Sequence, residues 1–160
     1  MSTFPSVVVR TRVVRLRHDA ESFTYPAKFT PDPDGGFVVT FRDVPEAITQ
    51  GESIEECMEE AAGALQAAIE TYIELRKEIP APSKQQRGEY LVALPTRTAL
   101  KAALYLEMIV RRLTNVAFAK VLNVNEKEVR RMLDPNHPTK AEKLEQALAA
   151  LGKKVEIRVY

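Results

Sequence analysis

The chain has 160 residues, 45% apolar and 28% charged, which fits one ordinary folded domain or two small ones and excludes a disordered chain. No apolar run approaches the roughly 20 residues that cross a membrane, arginines interrupt the apolar start, and the single Cys57 excludes an internal disulfide, so a cytoplasmic protein is expected. A net charge of +1 conceals a split, with 6 Lys/Arg against 13 Asp/Glu in residues 25–95 and 13 against 7 in residues 96–160.

An acidic half joined to a basic half suggests two partners of opposite charge, the alternative being ordinary unevenness between solvated surfaces. In chain order, residues 7–17 have a strand-like composition and read as an extra edge strand or as a loose arm. From Tyr25, "YPAKFT" reads as a strand and "PDPDGG" as a turn, with Gly35 and Gly36 free to take positive φ. "FVVTF" is the return strand, and a short strand around residues 47–50 ends at Gly51.

Ser53 and Glu56 have the spacing of a capping box. Ile54, Met58, Ala61, Leu65, Ile69 and Tyr72 then share one helical face. Cys57 falls in the first turn, where Glu55, Glu56, Glu59 and Glu60 oppose a thiolate, so a catalytic thiol is not expected. Pro80 and Pro82 stop the helix, and "YLVAL" is a further strand. The order β-β-β-α-β predicts a helix laid on a small antiparallel-dominated sheet.

After Pro95 the sequence is helical. "TRTALKAALYLEMIVRRL" has Thr96 or Thr98 as candidate caps, Thr114 caps "NVAFAKVL", and Asn125 pairs with Glu128 at the start of "EKEVRRML". A fourth helix stops at Gly152, and "KKVEIRVY" closes as a strand able to pair between subunits.

The stretch "TNVAFAKVLNVNEKEVRRML" has the geometry of a helix-turn-helix. Ala119 is the small residue, Asn123 the turn residue that tolerates a left-handed backbone, and Val116, Leu122, Val124, Val129 and Leu133 are the apolar pins. Residues 98–152 resemble the lambda-repressor-like class. In that frame the third helix exposes Asn125, Glu126, Lys127, Arg130 and Arg131. Glu126, Lys127 and Arg131 are candidates for reading bases, while Asn115, Arg130 and Lys140 are candidates for phosphates. One module of this kind binds weakly, so a homodimer or higher homo-oligomer on double-stranded DNA is expected. The alternative is a helical packing unit with solvated basic residues.

The acidic half invites comparison with RNase H-type nucleases, which hold two divalent metals through converging carboxylates. Its strand interiors "AKF" and "FVVTF" carry no acid, and neither His18 nor His137 has an evident nucleophile beside it. No metal, cofactor or catalytic residue is therefore expected.

The stretch "YPAKFTPDPDGGFVVTFRDVPEAITQGESIEECMEEAAGAL" resembles the HicB antitoxin family. It has the "YP" strand, the paired glycines, the "V-x-F-x-D-[IV]-P" strand, the "T-Q-G" ending and the acidic-start helix. The match covers about residues 25–83, including "IPAPS", and leaves residues 1–24 outside as an extension. The resemblance implies an α+β protein in which residues 25–95 form a degenerate RNase H-like domain without catalysis. Residues 96–160 follow as the helix-turn-helix domain and a short strand. It also implies a HicA-type toxin as partner, a small basic protein that cleaves mRNA. The candidate contacts are Asp32, Asp34, Asp43, Glu46 and Glu52. An antitoxin that also represses its operon is the reading, and a stand-alone transcription regulator with a sensing or dimerising N-terminal domain is the alternative.

Overall fold

The computed structural model describes residues 7–12 and 21–159, with side chains described over 22–157. It is a mixed α/β structure. A four-stranded antiparallel sheet has the order β5-β4-β3-β6, formed by β3 (Thr24–Pro31), β4 (Phe37–Phe41), β5 (Ile48–Gly51) and β6 (Glu89–Ala93). The helix α1 (Ile54–Glu74) covers one face, on which Tyr25, Ala27, Val39, Phe41 and Val92 are buried against Ala61, Leu65 and Ile69. The opposite face stays in water, with Lys28, Thr30 and Gln50 exposed, as an antiparallel sheet permits.

The capping box holds with a shift of one residue. Ser53 Oγ accepts from the Glu56 amide at 3.2 Å, but the Glu56 carboxylate accepts from the Glu52 amide, at 2.8 Å, rather than from the amide of the cap itself. The apolar stripe is wider than its spacing implied, because Cys57 and Ile73 are buried beside it. The turn between β3 and β4 uses both glycines at positive φ, 109° at Gly35 and 70° at Gly36. A Cβ at Gly36 would lie 2.5 Å from the Gly51 carbonyl oxygen, so this turn rests directly on the end of β5.

The helical half holds α2 (Thr96–Val110), α3 (Asn115–Leu122), α4 (Glu126–Leu133) and α5 (Ala141–Ala150). Neither threonine caps α2. Its N-cap is Pro95, without a side-chain bond, while Thr96 is already helical and Thr98 is buried, its hydroxyl donating to Glu70 Oε1 at 3.3 Å. That burial follows from the role of α2. It packs on α1 and α5, is buried along most of its length, and joins the two halves in one continuous apolar cluster. Its buried Glu107 is held by Lys153 Nζ at 2.8 Å and Arg111 Nε at 3.0 Å, which neutralises a charge that would otherwise be costly there.

Two further strands tie the chain's ends together. β1 (Val7–Arg12) pairs antiparallel with β7 (Lys154–Val159) over six residues, from Val7↔Val159 to Arg12↔Lys154, and with the two-residue β2 (Glu21–Ser22) on its other side. The first strand is thus the middle of a small sheet beside α2, and β7 finds its partner within its own chain. His18 and residues 13–17 of the expected first strand lie outside the described residues.

Candidate functional site

The five acids proposed from the sequence divide between opposite ends of the four-stranded sheet. Asp32 and Asp34 occupy the β3–β4 turn, where Asp32 Oδ1 accepts from the Asp34 amide at 2.9 Å. Glu52 follows Gly51, which is paired with Phe37 at that same end, and the acidic first turn of α1 stands beside it. Asp43 and Glu46 sit at the other end, past the last residue of β4, about 14 Å away by strand rise.

The two groups differ in what their carboxylates do. Asp34 and Glu52 are exposed, and the buried Cys57 beneath them has its thiol pushed up by burial and by Glu56 and Glu52, which keeps it neutral. Asp43 accepts from the Ser83 amide at 2.8 Å and from the Ser83 hydroxyl, fastening the return segment after α1. Glu46 accepts from Tyr72 Oη at 2.5 Å. Arg42 completes the fastening, with Nε donating to Glu89 Oε1 at 2.8 Å and Nη2 to the Lys84 carbonyl at 2.5 Å. Among the described residues no group of three or more His, Cys, Asp or Glu is placed to hold a metal ion, and no helix is long and apolar enough to cross a membrane.

These carboxylates predict an acid limit. The hydrogen bond from Tyr72 holds Glu46 below the ordinary value of 4.5, that from Arg42 does so for Glu89, and that from Lys143 for Glu128. A depressed carboxylate contributes stability that is complete above its unfolded value and lost as pH falls through the folded one. The urea midpoint is therefore expected to fall as pH drops below about 4.5. Arg42→Ala is expected to remove part of that slope, and an unchanged slope would show that Glu89 contributes nothing. Burial, with Glu46 beside it, pushes Tyr72 up to about 12, so this pair survives mild alkali.

In the helical half, α3 and α4 meet through a three-residue turn with Asn123 at φ 53°, ψ 46°, the left-handed region. The Val124 amide donates to the Ala119 carbonyl at 3.0 Å, closing α3. Thr114 Oγ1 caps α3 by accepting from the Ala117 amide at 3.1 Å, and Asn125 Oδ1 caps α4 by accepting from the Glu128 amide at 2.9 Å. Of the expected pins, Val129 is buried and Leu122, Val124 and Leu133 partly so, but Val116 is 51% exposed. Phe118, fully buried, takes its place, since Phe118, Ala119 and Leu122 share the inner face of α3.

The inner face of α4 is set by Val129 and Met132, which directs Lys127 straight outward with Arg130 and Arg131 on either side. Each flanking arginine is tied to an acid of its own helix, Arg130 Nε to Glu126 Oε1 at 3.3 Å and Arg131 Nη1 to Glu128 Oε1 at 3.0 Å. Glu128 does not reach back to the cap as a capping box would. Lys143 of α5 holds it on the other side. Asn115 opens α3, partly buried, and Lys140 stands exposed as the N-cap residue of α5. Thus Asn125, Lys127, Arg130 and Arg131 lie exposed on one short helix and its cap, while Lys140 is on the next element.

One positioning residue escaped the sequence. Lys101, 2% exposed in the middle of α2, donates from Nζ to the carbonyls of Asp134 and, at 2.6 Å, His137. It thereby anchors the chain leaving α4, and burial pulls its pKa down. The only signal was a lysine within the apolar run "TALKAALY" at a helical spacing that buries it.

Residues 24–103 match the family described as "HicB_like antitoxin of bacterial toxin-antitoxin system", a span that runs through the sheet and α1 into α2. The chain is 35% identical over 133 residues to "Antitoxin HicB" of Escherichia coli K12, an alignment covering 83% of this chain and 96% of that protein. It is 38% identical over 138 residues to "Antitoxin HicB 2" of Photorhabdus laumondii, covering 86% and 97%. "Antitoxin HicB 1" of the same organism is 31% identical over 156 residues, covering 95% of this chain and 99% of that protein. That last alignment leaves out too little of the chain to omit all of its first 24 residues. A sheet, helix and α2 that match one family, carried by relatives that align almost end to end, place the chain in the HicB-like antitoxin family of bacterial toxin–antitoxin systems.

Proposed function

We propose that this protein is a non-catalytic cytoplasmic antitoxin that neutralises a small basic mRNA-cleaving toxin of the HicA type and represses its own operon. Residues 25–95, read as a degenerate RNase H-like domain, bind the toxin. Residues 96–160, read as a lambda-repressor-like helix-turn-helix, bind operator DNA as a homodimer or higher homo-oligomer. The observation that carries this reading is the family match on the acidic half. The left-handed turn at Asn123 between two eight-residue helices supports the DNA-binding part.

The toxin is taken by the sheet end that carries Asp32, Asp34, Glu52 and the first turn of α1. Asp34, Glu52 and Glu55 are exposed there with Asp32 half-buried beside them, whereas the carboxylates of Asp43 and Glu46 are engaged by Ser83 and Tyr72 and hold the fold. Like-signed acids around one turn steer a basic RNA-binding surface and cover it. The test is growth on inducing the small basic protein encoded beside this gene, alone and then with this chain. Arrest followed by rescue is expected, with rescue weakened by Asp34→Lys plus Glu52→Lys. Point changes are the right tool, because α2 packs on α1 and deleting residues 96–160 would strip that helix. Arrest without rescue overturns the antitoxin role and leaves a stand-alone transcription regulator.

A further inference from the structure

A cleft of about 470 Å³ opens where the end of α1 meets α2 and α4. Its rim carries Arg76, Arg112, Asn115 and Arg130, and its floor is apolar, with Tyr105 and Leu133 among the lining residues. Arg76 and Arg112 are the C-terminal stops of α1 and α2, both left-handed, at φ 53° and φ 52°. The following amides close the helices, Lys77 onto the Tyr72 carbonyl at 2.8 Å and Leu113 onto the Met108 carbonyl at 2.9 Å. Glycine fills such positions without strain, so an arginine at both, on the wall of one cleft, calls for a reason beyond the fold.

The guanidiniums supply one. Among the described residues neither Arg76 nor Arg112 makes a side-chain hydrogen bond or ion pair, and both are exposed. The acids on the same rim are engaged elsewhere. Glu74 accepts from Asn136 Nδ2 and Asp134 from the Asn136 amide, each at 2.9 Å. Arg130 lies on the side of α4 that borders the cleft, next to the outward-pointing Lys127, and Asn115 adds the N-terminus of α3. The rim therefore continues the exposed face of α4, where Arg130 is paired with Glu126, with the guanidiniums of Arg76 and Arg112, which no side-chain hydrogen bond or ion pair among the described residues engages.

We propose that this rim is a phosphodiester seat, in which Arg112 and Arg76 each neutralise a backbone phosphate flanking the bases that face Lys127. This rests on the operator-binding reading above and extends it. Arg76 belongs to the acidic half, so the toxin-binding half itself helps to hold DNA. Arginine suits the task, since its planar fork stays charged and pairs with phosphate oxygens.

The test measures the full chain binding a labelled duplex from upstream of its own gene, across roughly 50 to 400 mM salt. Each phosphate contact contributes close to one unit to the slope of log affinity against log salt, so Arg76→Gln and Arg112→Gln should each lower it by about 1, and the double variant by about 2. Affinity at the lowest salt should fall about tenfold per arginine. Arg76→Gly and Arg112→Gly should lose the same slope while melting at higher temperature, a pairing that a purely structural role would not produce. An unchanged slope in the double variant, with binding still weakened about tenfold or more by Lys127→Ala, overturns the seat and leaves the operator reading standing. If inorganic phosphate raises the melting temperature of the wild type but not of the double variant, while the slope is unchanged, the cleft takes a free anion and the proposal fails. A wild type that prefers this duplex no more than unrelated DNA overturns the operator reading itself.

Discussion

Gly36→Ala is expected to destabilise the protein by about 3 kcal/mol or more, whereas Gly35→Ala should cost only about 1 kcal/mol. Both residues have positive φ, so both substitutions meet the backbone strain that alanine suffers there. They differ in space. Nothing lies within 4 Å of a Cβ at Gly35, but at Gly36 it would meet the Gly51 carbonyl at 2.5 Å and Glu52 Cα at 3.2 Å. Those are backbone atoms and cannot swing aside, so either the turn lifts or β5 moves. Urea unfolding of the two variants decides the matter, and equal losses would show that the turn is not seated on β5. Because the obstructing residues are the ones that place Asp32 and Asp34 beside Glu52, Gly36→Ala should also weaken toxin neutralisation without altering an acid.

Lys127→Ala should weaken operator binding about ten- to a hundredfold, and adding Arg131→Ala should bring the loss beyond a hundredfold. Lys127 points outward from the centre of α4 and makes no ion pair among the described residues, so on the proposed reading its ammonium would meet a base edge without first leaving a partner. Arg131 is bound to Glu128, which Lys143 also holds, and must give up that contact to reach DNA. Lys127 should therefore dominate the pair. Rescue of growth should stay at the wild-type level, since both residues lie in the helical half. Loss of rescue in a folded Lys127→Ala, Arg131→Ala protein would contradict the separation of the two tasks.

The elements whose signals are local were readable from the chain. The glycine turn, the Ser53 cap, the stripe on α1, the Thr114 and Asn125 caps and the Asn123 turn all depend on neighbours within a few residues. What depends on distant partners was not readable. Pairing of β1 with β7 joins segments at opposite ends of the chain, so the first residues read as an edge strand or a loose arm rather than as the middle strand of a second sheet. Thr96 and Thr98 looked like caps because nothing local reveals that α2 is central and buried. The same burial conceals that one core spans both halves. Among the acids, sequence shows charge but not occupation, and only the fold separates Asp43 and Glu46, bound to Ser83 and Tyr72, from Asp34 and Glu52 in solvent. Arg76 and Arg112 carried no signal, since arginine predicts no left-handed backbone.

The pairing of β1 with β7 also sets an order of assembly during synthesis. Every strand of the larger sheet, together with α1 and the α2 that packs on it, has left the ribosome once residue 110 has emerged, so that unit can close while translation continues. β1 is made earliest and must wait for residues 154–159, a contact of long sequence separation that closes slowly. A nascent chain thus exposes its acidic sheet end before α3, α4 and α5 are locked in place. On the function proposed above, a ribosome stalled between α2 and α3 would hold a chain able to engage the toxin but not to repress.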